Sequence, residues 1–346
     1  MSELNRLALD PPRAIEPPVG VARWRVSPED FVVDEVLGFE PSGQGEHVLV
    51  TVRKRGANTL WVARELARHA GVRPQDVGFA GLKDRHAVTT QSFTVPLRRQ
   101  PLEMWQTVVG EGYEVIAAAR HSRKLPRGAL RGNRFRLVLR DFAGDRSAFE
   151  ARVAQMAIQG APNYFGAQRF GRDLANLAPG APPRFALSAL RSLLFNAVLA
   201  ERIERGDWCT LYPGERANLD GSNASFVVTA EDPALPSRLA AQDIHPTGPL
   251  WGEGESGITG EIAQLETTVV ERHAPLRERL RAASLEPARR PLRVAVRDLT
   301  LRWLPGELAC ELQFFLRAGS FASAVVRELL ATPVGNDSLI AEEDDA

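Results

Sequence analysis

Hydrophobic and polar positions recur with two different periods along this 346-residue chain, and the change of period divides it. Trp24 to Val26, Phe31 to Val36 and His47 to Arg53 alternate or form short β-branched runs, the pattern of strands. From Leu60 to Ala70 the spacing is helical, with Asn58 as N-cap and Gly71 where a C-terminal cap belongs. Alternation returns on both flanks of Gly78 to Val95, at Tyr113 to Ala119, and from Arg134 to Asp141. Around that last strand Asn133, Phe135, Leu137 and Leu139 project one way and Arg134, Arg136 and Arg140 mostly the other. One face therefore feeds a core or pocket, and the other is either the solvated side of a sheet or a surface for phosphate.

Helical spacing dominates next, at Ala148 to Gln159 and Leu187 to Glu204, with Gly160-Ala161-Pro162 as a break. Helical stretches separated by glycine and proline loops continue to about Ala288. Strands resume at Leu292 to Val296, Leu299 to Trp303 and Leu308 to Leu316, and Ser320 can cap a last helix, Phe321 to Leu330. Residues 1–19, proline-dotted and polar, predict a loosely held lead-in. Strands at both ends around a more helical block predict one sheet domain interrupted by an insertion at about 159–290.

Composition narrows the function. A hydrophobic share of 44% with 25% charged residues is that of a soluble globular protein, and no run approaches a membrane span. The N-terminus lacks the basic and apolar regions of an export signal, which predicts a cytoplasmic protein with no membrane association. Cys209 and Cys310 lie far apart and outside any Cys/His cluster, so neither a disulfide framework nor a zinc site is expected. The glycine-rich GPLWGEGESGITG has no phosphate-loop spacing and is expected to be a plain loop. A formal net charge of zero argues against a nucleic-acid partner, but its distribution does not. Ala117 to Arg140 holds eight Arg and Lys and no Asp or Glu, while Glu342 to Asp345 is an acidic run.

The stretch with candidate chemistry is Gly78 to Val95, GFAGLKDRHAVTTQSFTV, expected as a hairpin with Gly81 to His86 as its polar tip. It presents one carboxylate, Asp84, between Lys83 and Arg85. Flanking cations favour the ionised form, which suits a nucleophile or general base, although a charged tip is by default a solvated turn.

GFAGLKDRHAVTTQ resembles the signature of the TruD family of RNA pseudouridine synthases, in which the Asp of this segment is catalytic. NYFGAQRFG at Asn163 to Gly171, Pro28 to Val33 and Gly319 to Ala322 are similar to the family in the same order, so the resemblance spans nearly the whole chain. It implies an α/β (α+β) catalytic domain with a mixed, largely antiparallel sheet, at 1–158 and 291–346, interrupted by a mostly helical TRUD domain at 159–290. It implies isomerisation of uridine, at position 13 of tRNA, to pseudouridine, with Asp84 acting as nucleophile or taking the ribose 2′ proton. The positions matching the family's uracil grip are Phe31, Asn133, Phe135 and Phe321, and Arg25 stands where many members have Lys. Lys83, Arg85, Arg123, Lys124 and Arg127 are the cations expected to contact RNA. The NYFGAQRFG segment would reach RNA through Gln168 and Arg169 or, more in keeping with its glycines and aromatics, fix how the two domains meet. Breaking one glycosidic bond and making another requires no metal, nucleotide or flavin, so no cofactor is expected, and nothing implies an obligate oligomer. Two other classes compete: a non-catalytic RNA-binding protein using the stripe 117–140, and a hydrolase with Asp84 as base.

Overall fold

The computed structural model describes residues 3–97, 101–170 and 183–331. In chain order the first elements are helix α1 (Glu3–Leu9) and strands β1 (Gly20–Arg23), β2 (Phe31–Val36) and β3 (His47–Arg55). Helix α2 (Thr59–Ala70), β4 (Gly78–Phe79), β5 (Val88–Pro96), β6 (Val109–Gly110), β7 (Tyr113–His121) and β8 (Gly132–Gly144) follow. Next come α3 (Arg146–Gln159), β9 (Ala161–Pro162), α4 (Pro183–Glu204), β10 (Arg216–Leu219), β11 (Ser225–Val227), α5 (Leu235–Ala240) and β12 (Ile244–Leu250). The described chain ends with α6 (Gly260–Arg272), α7 (Ala274–Arg281), β13 (Ala288–Pro291), β14 (Arg293–Val294), β15 (Arg297–Trp303), β16 (Cys310–Arg317) and α8 (Ala322–Leu329). The acidic run 342–345 lies outside the described residues.

Two compact units result. Of the described residues, one comprises those within 19–153, 297–319 and 330–331, the other those within 3–18, 154–296 and 320–329. The first is built on a mixed sheet in the order β15-β16-β8-β2-β5-β3-β7-β6, with β1 paired to β8 and β4 to β5. Within it β2 and β5 run parallel and the other pairs antiparallel. The reason these segments pair is their alternation: Val48, Val50 and Val52 of β3 turn inward and are fully buried. They pack with the apolar stripe of α2, namely Val62, Ala63, Leu66, Ala67 and Ala70. Asn58 Oδ1 accepts the Leu60 and Trp61 amides, and Gly71 closes the helix at φ 64°. Such an N-cap is worth about 1 kcal/mol.

The second unit centres on α4, whose Leu190, Leu193, Leu194 and Val198 share a core with Leu265 and Val269 of α6. A four-stranded sheet, β11-β10-β12-β13, accompanies these helices, and β14 pairs with β9.

Four sequence expectations change. Residues 1–19 do not hang loosely: α1 packs Leu7 and Ala8 into the α4 core, and Asn196 Nδ2 donates to the Leu7 carbonyl. The strand expected at Trp24 to Val26 ends instead at Arg23, because Arg25 takes φ 58°, a left-handed conformation that a ladder cannot hold. Within GPLWGEGESGITG, the first three residues belong to β12. Nor is Gly78 to Val95 a hairpin closed at its tip. Gly78 and Phe79 pair with Thr94 and Phe93, while residues 88–90 are held by β2 on one edge and β3 on the other. With both edges taken, the start of β5 cannot pair with the residues before it, and Asp84 rides on a wide loop.

Candidate active site

Alternation persists through that loop without a ladder. Leu82 and Asp84 face outward, and Lys83 turns in. Its ammonium meets Glu35 Oε2 at 3.0 Å, with both side chains almost wholly buried. The loop's main chain is also pinned. Gln91 Nε2 donates to the Gly81 carbonyl, and the Lys83 amide donates to Thr59 Oγ1 at 3.0 Å. Thr59 Oγ1 in turn donates to Gln91 Oε1. From below, Lys54 Nζ donates to the carbonyls of Ala57 at 2.7 Å, Asp84 at 2.9 Å and Lys83 at 3.3 Å.

Asp84 is left 43% exposed, and Arg25 Nη2 donates to its Oδ2 at 3.1 Å. Among the described residues its Oδ1 accepts no hydrogen bond. Arg25 is itself fixed: its guanidinium lies 4.0 Å over the Phe31 ring and 4.6 Å over Trp24. A non-glycine residue at positive φ costs roughly 1–2 kcal/mol, a strain of the kind met at sites that must aim a side chain. The cation beside the carboxylate is therefore Arg25, whereas the sequence suggested Lys83 and Arg85. Arg85 is exposed and donates to the Gly56 carbonyl at 3.4 Å. Lys83 is also unavailable to phosphate, because burial and Glu35 hold it inside.

The expected uracil-gripping residues are distributed as follows. Opposite β2, β8 sets Asn133 against Glu35, Phe135 against Val33 and Leu137 against Phe31. Directly opposed residues share a face, so Phe31, Phe135, Asn133 and the Glu35 that receives Lys83 all lie on one side of the sheet. Phe31 and Phe135 are buried at 2% and 8% exposure, with centroids 6.1 Å apart. Asn133 is half-buried, and its Oδ1 is enclosed with no hydrogen-bond donor among the described residues. A buried acceptor left empty costs about 1–3 kcal/mol. Phe321 belongs to the other unit, just before α8, and is 53% exposed.

The basic stripe divides in two. Arg140 binds Asp30 with Nε and Nη2 and reaches Glu307, and Arg136 binds Glu311, so these two face carboxylates, not phosphate. The Asp30 hydrogen bond holds the Arg140 guanidinium above its ordinary range. Arg123, Lys124 and Arg127 remain exposed on the segment between β7 and β8. That segment is anchored against the arms of the Asp84 loop: Gly128 N donates to the Ala80 carbonyl at 2.7 Å and Leu125 N to Thr94 Oγ1 at 2.7 Å. Arg127 stacks on Phe79 at 3.5 Å, and Lys124 donates to the Gln75 carbonyl. The His121 imidazole, under burial and then the charge of Arg123, titrates below its usual value.

The NYFGAQRFG segment is wired within the second unit as far as Phe170; Gly171 and the Gln168 side chain lie outside what is described. Asn163 Nδ2 donates to the Pro291 carbonyl and its Oδ1 receives Arg290, while Phe165 N donates to Asn196 of α4. Arg169 donates to Ser188 and Ser192 of α4.

Burial raises both thiols, Cys310 to about 12, so neither offers a thiolate nucleophile. Among the described residues no three His, Cys, Asp or Glu gather as metal ligands, and no helix is long and apolar enough to cross a membrane.

The sequence reading missed Glu35, Lys54, Thr59 and Gln91, the groups that hold the loop. One signal was present: in HVLVTVRKR, Lys54 continues the inward register of Val48, Val50 and Val52. A charge in that register needs a buried partner.

A sequence model of the family described as tRNA pseudouridine synthase D (TruD) matches residues 16–177 and 183–329. The tRNA pseudouridine synthase D of Nitrosococcus oceani is 46% identical over 343 residues, covering 94% of this chain and 96% of the relative. That of Methylococcus capsulatus is 47% identical over 334 residues, covering 93% and 94%. A crystal structure described as a tRNA pseudouridine synthase D, from Methanosarcina mazei, superposes with a TM-score of 0.78 over 96% of this chain and 99% of the other. At 20% identity that match speaks to fold alone.

Proposed function

This chain belongs to the TruD family of tRNA pseudouridine synthases, isomerases that form pseudouridine in tRNA, and we propose that it acts on uridine 13 with Asp84 as its catalytic carboxylate. The observation that carries the assignment is the state of Asp84: half exposed, with Oδ2 held by Arg25 and Oδ1 open. A carboxylate held by one oxygen and open at the other is aimed and accessible, as a nucleophile at C1′ or a base toward the ribose 2′ proton must be. In either route the N1–C1′ bond breaks, the base turns, and C5 joins C1′ while its proton is lost to solvent and N1 gains one. Nothing is oxidised or reduced.

Asn133 Oδ1 supplies the acceptor for a uracil N–H, since the enclosed oxygen has no donor of its own. Phe31 and Phe135, both buried, support the base-binding face more than they stack on a base. Phe31 does so by seating Arg25. Phe321, exposed, is the aromatic available for stacking on an extruded nucleotide. The sheet unit is the catalytic domain in this reading, and the unit around α4 is the TRUD domain.

Incubation with tRNA in EDTA should convert uridine 13 to pseudouridine at the rate seen without chelator. Loss of all conversion in EDTA, with circular dichroism unchanged, would overturn a metal-free reaction. A binding protein would return the RNA unmodified, and a hydrolase would release uracil or cut the strand.

Arg123, Lys124 and Arg127 are the cations proposed to meet tRNA phosphate beside the Asp84 loop. Replacing all three with Gln should lower the slope of log affinity against log salt by about 2–3, since each phosphate contact contributes about 0.7–0.9. An unchanged slope would return them to ordinary solvated surface.

A further inference from the structure

We propose that Lys54 is a positioning residue for the isomerisation, acting through the main chain of Asp84; the proposal rests on the reading of Asp84 as the catalytic carboxylate. Lys54 is 1% exposed and continues the buried register of Val48, Val50 and Val52 on β3. A strand end needs no ammonium there. Burying one is costly unless its donors are satisfied, and the acceptors it takes are specific. Two of them are the consecutive carbonyls of Lys83 and Asp84, at 3.3 and 2.9 Å, and the third is Ala57, immediately before the N-cap of α2, at 2.7 Å.

Consecutive carbonyls ordinarily diverge in extended chain. Their convergence on one cation fixes the peptide planes on both sides of the Asp84 Cα, and hence the direction of its side chain. The same curl lets Lys83 enter toward Glu35 while Asp84 leaves toward Arg25. Because β3 and α2 belong to a packed core, the ammonium couples the catalytic residue to the rigid part of the unit and not to the loop around it. Glu35, Thr59 and Gln91 hold the neighbouring residues, but Lys54 alone among the described residues bonds the main chain of Asp84 itself.

The test compares wild type with K54M, which keeps the stem without donors, and K54Q, which restores amide donors at shorter reach. Single-turnover conversion of saturating tRNA, tRNA binding and hydrogen exchange over residues 81–86 are measured, with D84N assayed in parallel. K54M is expected to bind tRNA within about threefold of wild type while its turnover falls about a hundredfold, the scale of loss when a reacting group is misplaced by about 1 Å. Exchange should rise in 81–86 and not across β3 and β5, and K54Q should recover part of the rate. Turnover of folded K54M within about threefold of wild type would overturn the proposal, as would a loss confined to tRNA affinity. If K54M does not fold, K54Q carries the same comparison; failure of both to fold would make Lys54 a stability residue and end the positioning role. An active D84N would refute the reading of Asp84, whereas an inactive D84N beside a normal K54M would refute only the role of Lys54.

Discussion

Asp84→Asn is expected to leave the fold and tRNA binding intact and to lower turnover at least about a hundredfold, the usual cost of removing an essential acid, base or nucleophile. The stability cost is small because the carboxylate is 43% exposed and its ion pair to Arg25 sits at the surface. Such pairs contribute about 0–1 kcal/mol. Asparagine still offers an oxygen to the Arg25 guanidinium, so the loop, held by Lys54, Thr59 and Gln91, keeps its course. What disappears is the charge and the nucleophile. Turnover above about a tenth of wild type would remove Asp84 from the chemistry and reinstate the solvated-turn reading. Melting temperature and tRNA affinity, measured on the same preparation, separate a catalytic loss from a folding one.

The second large effect is a contrast between two phenylalanines that the sequence treats alike. Phe31→Ala should cost about 3–5 kcal/mol of stability, the range for truncating a buried aromatic. Its ring is 2% exposed, edge-on to Trp24 at 5.9 Å and covered by the Arg25 guanidinium at 4.0 Å. Turnover should fall with it, because Arg25 loses its seat. Phe321→Ala removes a ring that is 53% exposed and should change stability by no more than about 0.5 kcal/mol. If Phe321 stacks on the extruded base, turnover should nevertheless drop by about tenfold or more, stacking on an aromatic being worth about 1–3 kcal/mol per base. Thermal melts and single-turnover assays on both variants decide the matter. A stable Phe31→Ala, or a Phe321→Ala with full activity, would reverse the respective role.

Much of the local architecture was legible in the chain. The helix Thr59–Ala70 appears with the caps its sequence specified, Asn58 and Gly71, because capping depends on residues within a turn of the helix end. Strands β2, β3 and β8 follow the alternation of their residues. The motif around Asp84 is contiguous, so it too was visible without any coordinates.

What only the tertiary structure decided is which groups face one another across long separations. Alternation reports the face a residue takes, but not which strand lies alongside. The order β16-β8-β2-β5 brings Glu311 to Arg136, and the turn before β2 brings Asp30 to Arg140, which gives carboxylate partners to two arginines of the face whose alternation left solvent and phosphate both open. The same order sets Glu35 under the Asp84 loop, where it draws in Lys83 and leaves the carboxylate to Arg25, a residue 59 positions away. Sequence periodicity is a property of the backbone's own repeat, whereas charge pairing is settled by which strands share hydrogen bonds, and so the chain alone singled out Asp84 as the candidate carboxylate while the fold selected the cation beside it.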